Sequence, residues 1–308
     1  ILKTTISLDI ALSGGIPDGT VCLLSGKPKA GKTSLCLEIL KNAIIDKRPA
    51  FYLDIERRCK PSLLKTIRGL DCSKLQMIRE QEQQLSAQEW LDILERTIKS
   101  NPKAVIVVDS IAMLSTMTER SEAVGSNKDM SGAPKLLASF FRRMQQIIDK
   151  NDIVLIFISQ LMTNRDPMSN TKWIEKGGVA VQYAVSVWIN VSYTKLWPRN
   201  DKTQAPSGHD IICKILSSAL GKPYLPCAIP LRYGDGIDYI QDVIYNAENY
   251  GLIEKSGAWY AIPMLQKKDQ DAKKFQGTNR IRQFLLDNPK DLIKLDNEIR
   301  SMVLSDDC

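Results

Sequence analysis

Eight residues near the N-terminus, Gly26-Lys27-Pro28-Lys29-Ala30-Gly31-Lys32-Thr33, have the spacing G-x-x-x-x-G-K-T. Such a loop lets successive backbone N–H groups close around a phosphate at a helix N-terminus. The apolar run "TVCLLSG" leads into it. "TSLCLEILKNAIID" follows, with Leu35, Ile39, Leu40 and Ile44 at helical spacing. Strand, loop and helix together are the context this chemistry needs. The N–H groups of residues 27–33 would surround a β-phosphate, and Gly26 to Ser34 form the candidate nucleotide-binding set. Lys32 would bridge β- and γ-oxygens, and the Thr33 hydroxyl would ligate Mg²⁺.

Three further polar residues stand at the ends of apolar runs. Asp109 closes "AVIVVD". A carboxylate there would hold Mg²⁺, directly or through water, and a turn cap before Ser110 is the plainer alternative. Glu56 ends "AFYLDIE", two residues after Asp54, where it could activate the water that attacks a γ-phosphate. Spacing alone leaves an ordinary surface carboxylate equally open. Gln160 ends "DIVLIFISQ", where its amide could feel a γ-phosphate and pass that signal to the segment starting at Leu161. A plain polar strand end is the other reading.

Composition excludes several chemistries. His209 is the only histidine, which excludes multi-histidine metal sites and argues against a Ser-His triad. The seven cysteines are odd in number and form no CxxC, as expected of reduced thiols in a cytosol-like compartment. No apolar run reaches the ~20 residues of a membrane span. The chain begins at Ile1 rather than Met, and an N-terminal piece is expected to be missing. Of the net charge of +7, the part from Asp238 onward carries −2, so the basic excess sits with the phosphate loop. That favours a polyanionic partner.

The elements that must position these residues alternate. Six apolar runs read as strands: "TVCLLSG", "AFYLDIE", "AVIVVDS", "DIVLIFISQ", "VSVWINVSY" and "DIICKIL". Amphipathic helices separate the first four, among them "SAQEWLDILERTIKS", opened by a Ser86–Glu89 capping box, and "KLLASFFRRMQQIIDK". The expectation is an α/β fold with a largely parallel sheet flanked by helices. After "RYGDGI" the pattern changes to a helix, a hairpin and two helices, a small α+β C-terminal domain. The boundary is expected near 237, giving a core of 1–237 and a second domain of 238–308.

Two segments, about 118–133 and 161–179, lack periodicity. Long irregular connections in a compact α/β domain tend to be functional or disordered. They carry Lys128, Met130, Arg165, Met168, Lys172, Trp173, Lys176 and Gly177-Gly178, with Lys135, Arg142 and Arg143 on the helix after the first. Basic, glycine-containing loops with interspersed apolar residues suit a nucleic-acid backbone with bases nearby. Charge alone does not separate this from a solvated loop.

Taken in order, "SLDIALSGGIPDGTVCLLSG", "GKPKAGKT", "FYLDIE", "VIVVDS", "LIFISQ", the loop ending "GG", "YGDGI", "LIEKSGAWY" and "DNPK" resemble the RecA family of homologous-recombination proteins, over nearly the whole chain. The small C-terminal domain is similar to that of the bacterial and phage branch. The resemblance implies a DNA-dependent, Mg²⁺-requiring ATPase that binds ATP between neighbouring protomers. It also implies a helical filament on single-stranded DNA that pairs and exchanges strands with homologous double-stranded DNA. By matching position, Glu56 resembles the catalytic glutamate and Gln160 the nucleotide-sensing glutamine. Lys32 belongs to the same catalytic set. Tyr233-Gly234 resembles the segment that packs on adenine, and Tyr183 an aromatic that packs across the protomer interface. Met130, Lys135 and Arg142 match the first DNA-binding loop and the positions after it. Met168 and Gly177-Gly178 match the second, which also holds Arg165, Lys172 and Lys176. The implied compartment is the bacterial cytoplasm and nucleoid, or the cytoplasm of a phage-infected host, with no membrane association.

The chain departs from the family pattern at several places. Ser217 and Ala219 stand where two lysines usually reach the neighbour's γ-phosphate, with Lys214 and Lys222 close by. Lys60 and Leu63 replace an acid and a tyrosine that usually frame the base. The N-terminal docking helix and the long acidic tail are expected to be absent. These departures motivate a second reading, a DNA-binding filament that uses ATP as an assembly switch and barely hydrolyses it. Another RecA-fold DNA motor, such as a ring helicase, is a third.

Overall fold

The computed structural model describes residues 1–80, 84–114, 132–163, 173–175, 179–198, 205–218, 220, 224–265 and 274–305. The elements run α1 (Ile6–Ala11), β1 (Val21–Gly26), α2 (Lys32–Ile45), β2 (Ala50–Asp54), α3 (Pro61–Lys65), β3 (Leu75–Ile78), α4 (Ala87–Ser100) and β4 (Val105–Asp109). Then come α5 (Gly132–Lys150), β5 (Val154–Thr163), β6 (Trp173–Glu175), α6 (Val179–Ala184), β7 (Val187–Leu196), β8 (Gly208–Ser217), β9 (Pro226–Arg232) and β10 (Gly236–Ile237). The C-terminal part comprises α7 (Tyr239–Asn249), β11 (Glu254–Ser256), β12 (Trp259–Ala261), β13 (Lys274–Gln276), α8 (Thr278–Asp287) and α9 (Pro289–Ser305).

The main sheet has the order β10-β9-β8-β7-β1-β5-β4-β2-β3, and β6 pairs with β5. From β7 to β3 every neighbour is parallel. Valines, isoleucines and leucines fill both faces of these strands, and helices must cover both. One apolar cluster packs α2 beneath the sheet, around Leu35, Ile39, Cys22, Leu24 and Ile156. The other packs α4 and α5 above it, around Trp90, Leu94, Phe140, Phe157 and Val108. The capping box that opens α4 is present, with Glu89 N–H donating to Ser86 Oγ and Ser86 N–H to the Glu89 carboxylate. The run "DIICKIL" becomes β8 antiparallel to β7, so that edge of the sheet is a meander rather than a further parallel crossover.

Two expected boundaries differ. Strand β2 ends at Asp54, and Glu56 lies in the turn beyond it. Strand β5 does not end at Gln160 but continues to Thr163 and forms an antiparallel pair with β6, Leu161 opposite Glu175 and Thr163 opposite Trp173. The reason is visible in the register. Gly26 is the last residue of β1 and lies opposite Gln160, while β4 stops at Asp109, opposite Ile158. Beyond Gln160 the backbone of β5 has lost both parallel neighbours, and the returning segment supplies new partners. Residues 164–172 and 176–178 of the second expected loop lie outside the described residues, as do residues 118–131 of the first.

The C-terminal part builds its own core from α7, the β11–β13 sheet, α8 and α9, and Ile6 of α1 inserts into it. Polar contacts reinforce that insertion. Ser7 donates from N–H and Oγ to the buried Asp242 carboxylate, which also accepts from Asn246. Arg300 pairs with both Asp9 and Asp296, and Asp9 accepts from Thr4. Burial raises the Asp242 carboxyl to about 7 and that of Asp9 to about 6, against the lowering effect of their donors. A carboxyl with a raised folded-state pKa stabilises the fold most below its unfolded value near 3.8. That stabilisation is lost as pH rises through about 7. The melting temperature of wild type minus that of Asp242→Asn should therefore fall between pH 5 and pH 8. A difference that rises or stays flat in a melting series would contradict this ionisation.

Candidate nucleotide site

The loop between β1 and α2 is shaped by two close approaches. At Gly26 the backbone of β7 comes so near that a Cβ would lie 2.0 Å from the Val191 carbonyl oxygen. At Gly31, the N-cap of α2, φ is +94°, and a Cβ would meet the Ile211 side chain at 2.6 Å. Between them the chain turns through Lys29 at φ +63°. Lys32 is buried inside the turn, its ammonium donating to the carbonyls of Gly26 (2.9 Å) and Lys27 (2.8 Å). Burial lowers its pKa, opposed by the carboxylates of Asp109 and Glu56.

The ends of β2, β4 and β5 bring the other candidates to this loop. Thr33 Oγ1, on the first turn of α2, donates to Asp109 Oδ2 at 3.0 Å. Tyr52 donates to the same oxygen from the next strand. Burial raises the Asp109 pKa, and these two donors oppose it. Glu56 sits beyond β2, its N–H bonded to the Asp109 carbonyl at 3.1 Å. Its Oε1 accepts from Ser110 Oγ at 3.0 Å and from the Gln160 amide, and its Oε2 pairs with Arg58 at 3.2 Å. The Asp109–Ser110 peptide is cis. Thr33, Asp109, Glu56 and Gln160, from four separate segments, thus form one connected polar cluster, with Lys32 next to it in the loop.

The donor set also fits a hard cation. Among the described residues no cluster of three or more His, Cys, Asp or Glu could cage a metal by itself. A hydroxyl oxygen and one carboxylate, with phosphate oxygens and water completing the shell, is the arrangement Mg²⁺ favours. Thr33 and Asp109 supply that pair.

Tyr233 and Gly234 form the turn after β9, with Tyr233 half exposed and Gly234 at φ +89°. Just past the turn, at the start of β10, a Cβ on Gly236 would touch Thr66 and Ile67, the two residues after α3. Lys60, the N-cap of α3, is exposed. Lys135 and Arg142 are exposed two turns apart on α5, so they share one face, whereas Arg143 pairs with Glu95 of α4 at 3.2 Å. Tyr183 projects from α6 at 88% exposure. Met130, Arg165, Met168, Lys172, Lys176, Gly177 and Gly178 lie outside the described residues.

Sequence reading missed Tyr52, Ser110 and Arg58, which hold the two carboxylates. Tyr52 could have been singled out as the one hydroxyl-bearing side chain in an otherwise apolar strand. Nothing in the spacing of Ser110 or Arg58 marks them.

Comparison with known proteins gives the family of this fold. The RecA N-terminal domain matches residues 1–238 and the RecA C-terminal domain residues 241–304. The chain belongs to the RecA family. Relatives include the Protein RecA of Mesoplasma florum, 28% identical over 290 residues, covering 94% of this chain and 82% of the relative. The Clostridium novyi Protein RecA is 28% identical over 297 residues, covering 96% and 80%. That of Ruminococcus albus is 25% identical over 303 residues, covering 96% and 71%. The crystal structure of the RadB recombinase superposes with a TM-score of 0.57 at 19% identity, over 77% of this chain and 98% of that one, a likeness of fold. The RecA-like core thus carries the connected cluster at the ends of its parallel strands, where α/β proteins place ligands.

Gly26→Ala is expected to destabilise this RecA-family core by roughly 3 kcal/mol, because the clash is with backbone that cannot rotate away. Chemical denaturation of the variant measures it, and a loss below about 0.5 kcal/mol would show that β7 can move aside.

Proposed function

We propose that this chain is a DNA-dependent ATPase that assembles into a helical filament on single-stranded DNA and exchanges strands with homologous double-stranded DNA. The observation that carries the reading is the contact between Gln160 and Glu56. It joins a carboxylate beside the phosphate loop to the strand that runs on into residues 161–179, the expected second DNA-binding loop. Nucleotide state and DNA engagement would then bias one shared element.

In this reading Gly26 to Ser34 bind the phosphates, and Lys32 exchanges its two carbonyl partners for phosphate oxygens. Thr33 and Asp109 hold Mg²⁺, which neutralises phosphate charge when bound. Glu56 takes a proton from the attacking water at a carboxylate oxygen, while Ser110 and Arg58 keep that carboxylate in place. Tyr233 and Gly234 pack on the base. Lys135, Arg142 and the basic residues of the two loops neutralise DNA phosphates. We place the division between core and C-terminal domain at residue 237.

A second reading, a filament that uses ATP as an assembly switch with little hydrolysis, has one observation in its favour. Ser217 stands at a position where the family resemblance expects a lysine, and the nearby Lys214 ammonium lies 5.5 Å over the Tyr224 ring of its own chain. ATP hydrolysis with and without single-stranded DNA, with filament imaging on the same samples, separates the two. Stimulated hydrolysis with filaments supports the recombinase, and filaments without it support the switch. Neither one would count against both.

Lys32→Ala should lose nucleotide binding and hydrolysis together. Glu56→Gln should keep binding and lose roughly a hundred- to ten-thousandfold in hydrolysis. Equal losses of binding in both variants would remove Glu56 from its catalytic role. Neutralising Lys172 and Lys176 should flatten the log–log salt dependence of single-strand binding by about 1.4, at about 0.7 per contact. An unchanged slope would place the DNA path elsewhere.

A further inference from the structure

His209, the chain's single histidine, has no part in the chemistry above. It lies at the start of β8 and is 4% exposed. Its ring stands between those of Tyr193 and Tyr233, with centroids 5.4 and 5.5 Å away. Nδ1 is 2.9 Å from the Tyr233 hydroxyl. Nε2 is buried and has no hydrogen-bond partner among the described residues. That nitrogen lies against the phosphate loop, 3.7 Å from where a Cβ on Gly31 would be.

A phenylalanine would fill the same space between two aromatic rings without leaving a buried polar atom unsatisfied. Gly31 puts no side chain of its own between ring and loop; the tip of Ile211 lies in that space. Burial lowers the His209 pKa below its usual value, opposed by Asp210, and so favours the neutral ring. Asp210 itself is occupied, accepting from Trp197 Nε1 at 3.0 Å. The Tyr233 hydroxyl is therefore the partner of Nδ1, and it can donate to or accept from that nitrogen.

We propose that His209 is a nucleotide-binding residue. Its Nδ1 accepts from Tyr233, and its Nε2–H donates to a phosphate oxygen of the nucleotide held by the Gly26–Thr33 loop. One side chain would thereby tie the Tyr233 turn, expected at the base, to the phosphate end of the same ligand. Lys32 must leave the carbonyls of Gly26 and Lys27 to reach a phosphate, and this role for His209 requires the loop and the Ile211 tip to shift in the same step. The inference rests on the nucleotide site proposed above.

Selective ¹⁵N-histidine labelling of the wild-type protein yields one ring to observe. Titration with ADP and Mg²⁺ should move its Nε2 resonance while the ring keeps the Nε2–H tautomer. By calorimetry, His209→Phe should bind ADP–Mg²⁺ about ten- to a hundredfold more weakly. His209→Gln, which keeps a donor near the Nε2 position, should recover most of that loss. Tight ADP binding by wild type with an unmoved ring resonance, or with unchanged affinity in His209→Phe, would make His209 a packing residue and leave the nucleotide site standing. No ADP binding by wild type under the same conditions would overturn the site and this role together. The resonance of the unmodified protein decides the matter even if a variant fails to fold.

Discussion

Parallel hydrogen bonding between β5 and its neighbours β1 and β4 sets the height at which every candidate side chain leaves the sheet. Gly26 lies opposite Gln160, and Asp109 lies opposite both Ile158 and Asp54. A one-residue slip in any of these pairs would turn a polar side chain to the other face. Both faces are apolar and covered by helices, so such a slip would bury a charge in one cluster and expose a valine or isoleucine from the other. The core that stabilises the sheet therefore also enforces the alignment of Lys32, Thr33, Asp109, Glu56 and Gln160.

The cluster concentrates charge where water is scarce. Lys32 and Asp109 are each buried, and burial shifts each toward its neutral form. Short, directed contacts resist this: two carbonyls around the ammonium, and two hydroxyls on one carboxylate oxygen. These partners do not screen the charges as bulk water would, so an incoming polyphosphate and its cation would meet strong, pre-aimed fields. The arrangement trades folding free energy for readiness to bind.

The same logic recurs at the join between core and C-terminal part. Helix α1 contributes Ile6 to the C-terminal core and Ser7 and Asp9 to buried ionisable groups of α7 and α9. Fully satisfied polar contacts of this kind specify one arrangement where apolar packing alone would admit several. The sheet edge β8–β10, which adjoins this join, also carries His209 and the Tyr233 turn. One end of the meander thus faces the phosphate loop, and the strand after it leads into α7.

How much was legible follows from the range of each interaction. The phosphate loop, the buried strands, the α4 capping box and the helix–hairpin–helices pattern of the C-terminal part rest on neighbours within a few residues, so periodicity and spacing reveal them. The extension of β5 past Gln160 was not legible, because it depends on where β1 and β4 happen to stop. Nor was the antiparallel turn of β8, since an apolar run reads alike in either direction. Glu56 and Gln160 are candidates from their places at apolar-run ends, with a surface reading equally open for Glu56; only register brings their side chains into contact. Ser110 and Tyr52 acquire their places only by meeting carboxylates from other segments, and His209 only by lying beneath Gly31. By itself the sequence determined the phosphate-binding loop, the class of fold and the family, because local patterns of glycine, charge and apolar spacing encode them. Tertiary structure alone decided which polar atoms meet, because that depends on strand register and on backbones approaching within a few ångströms.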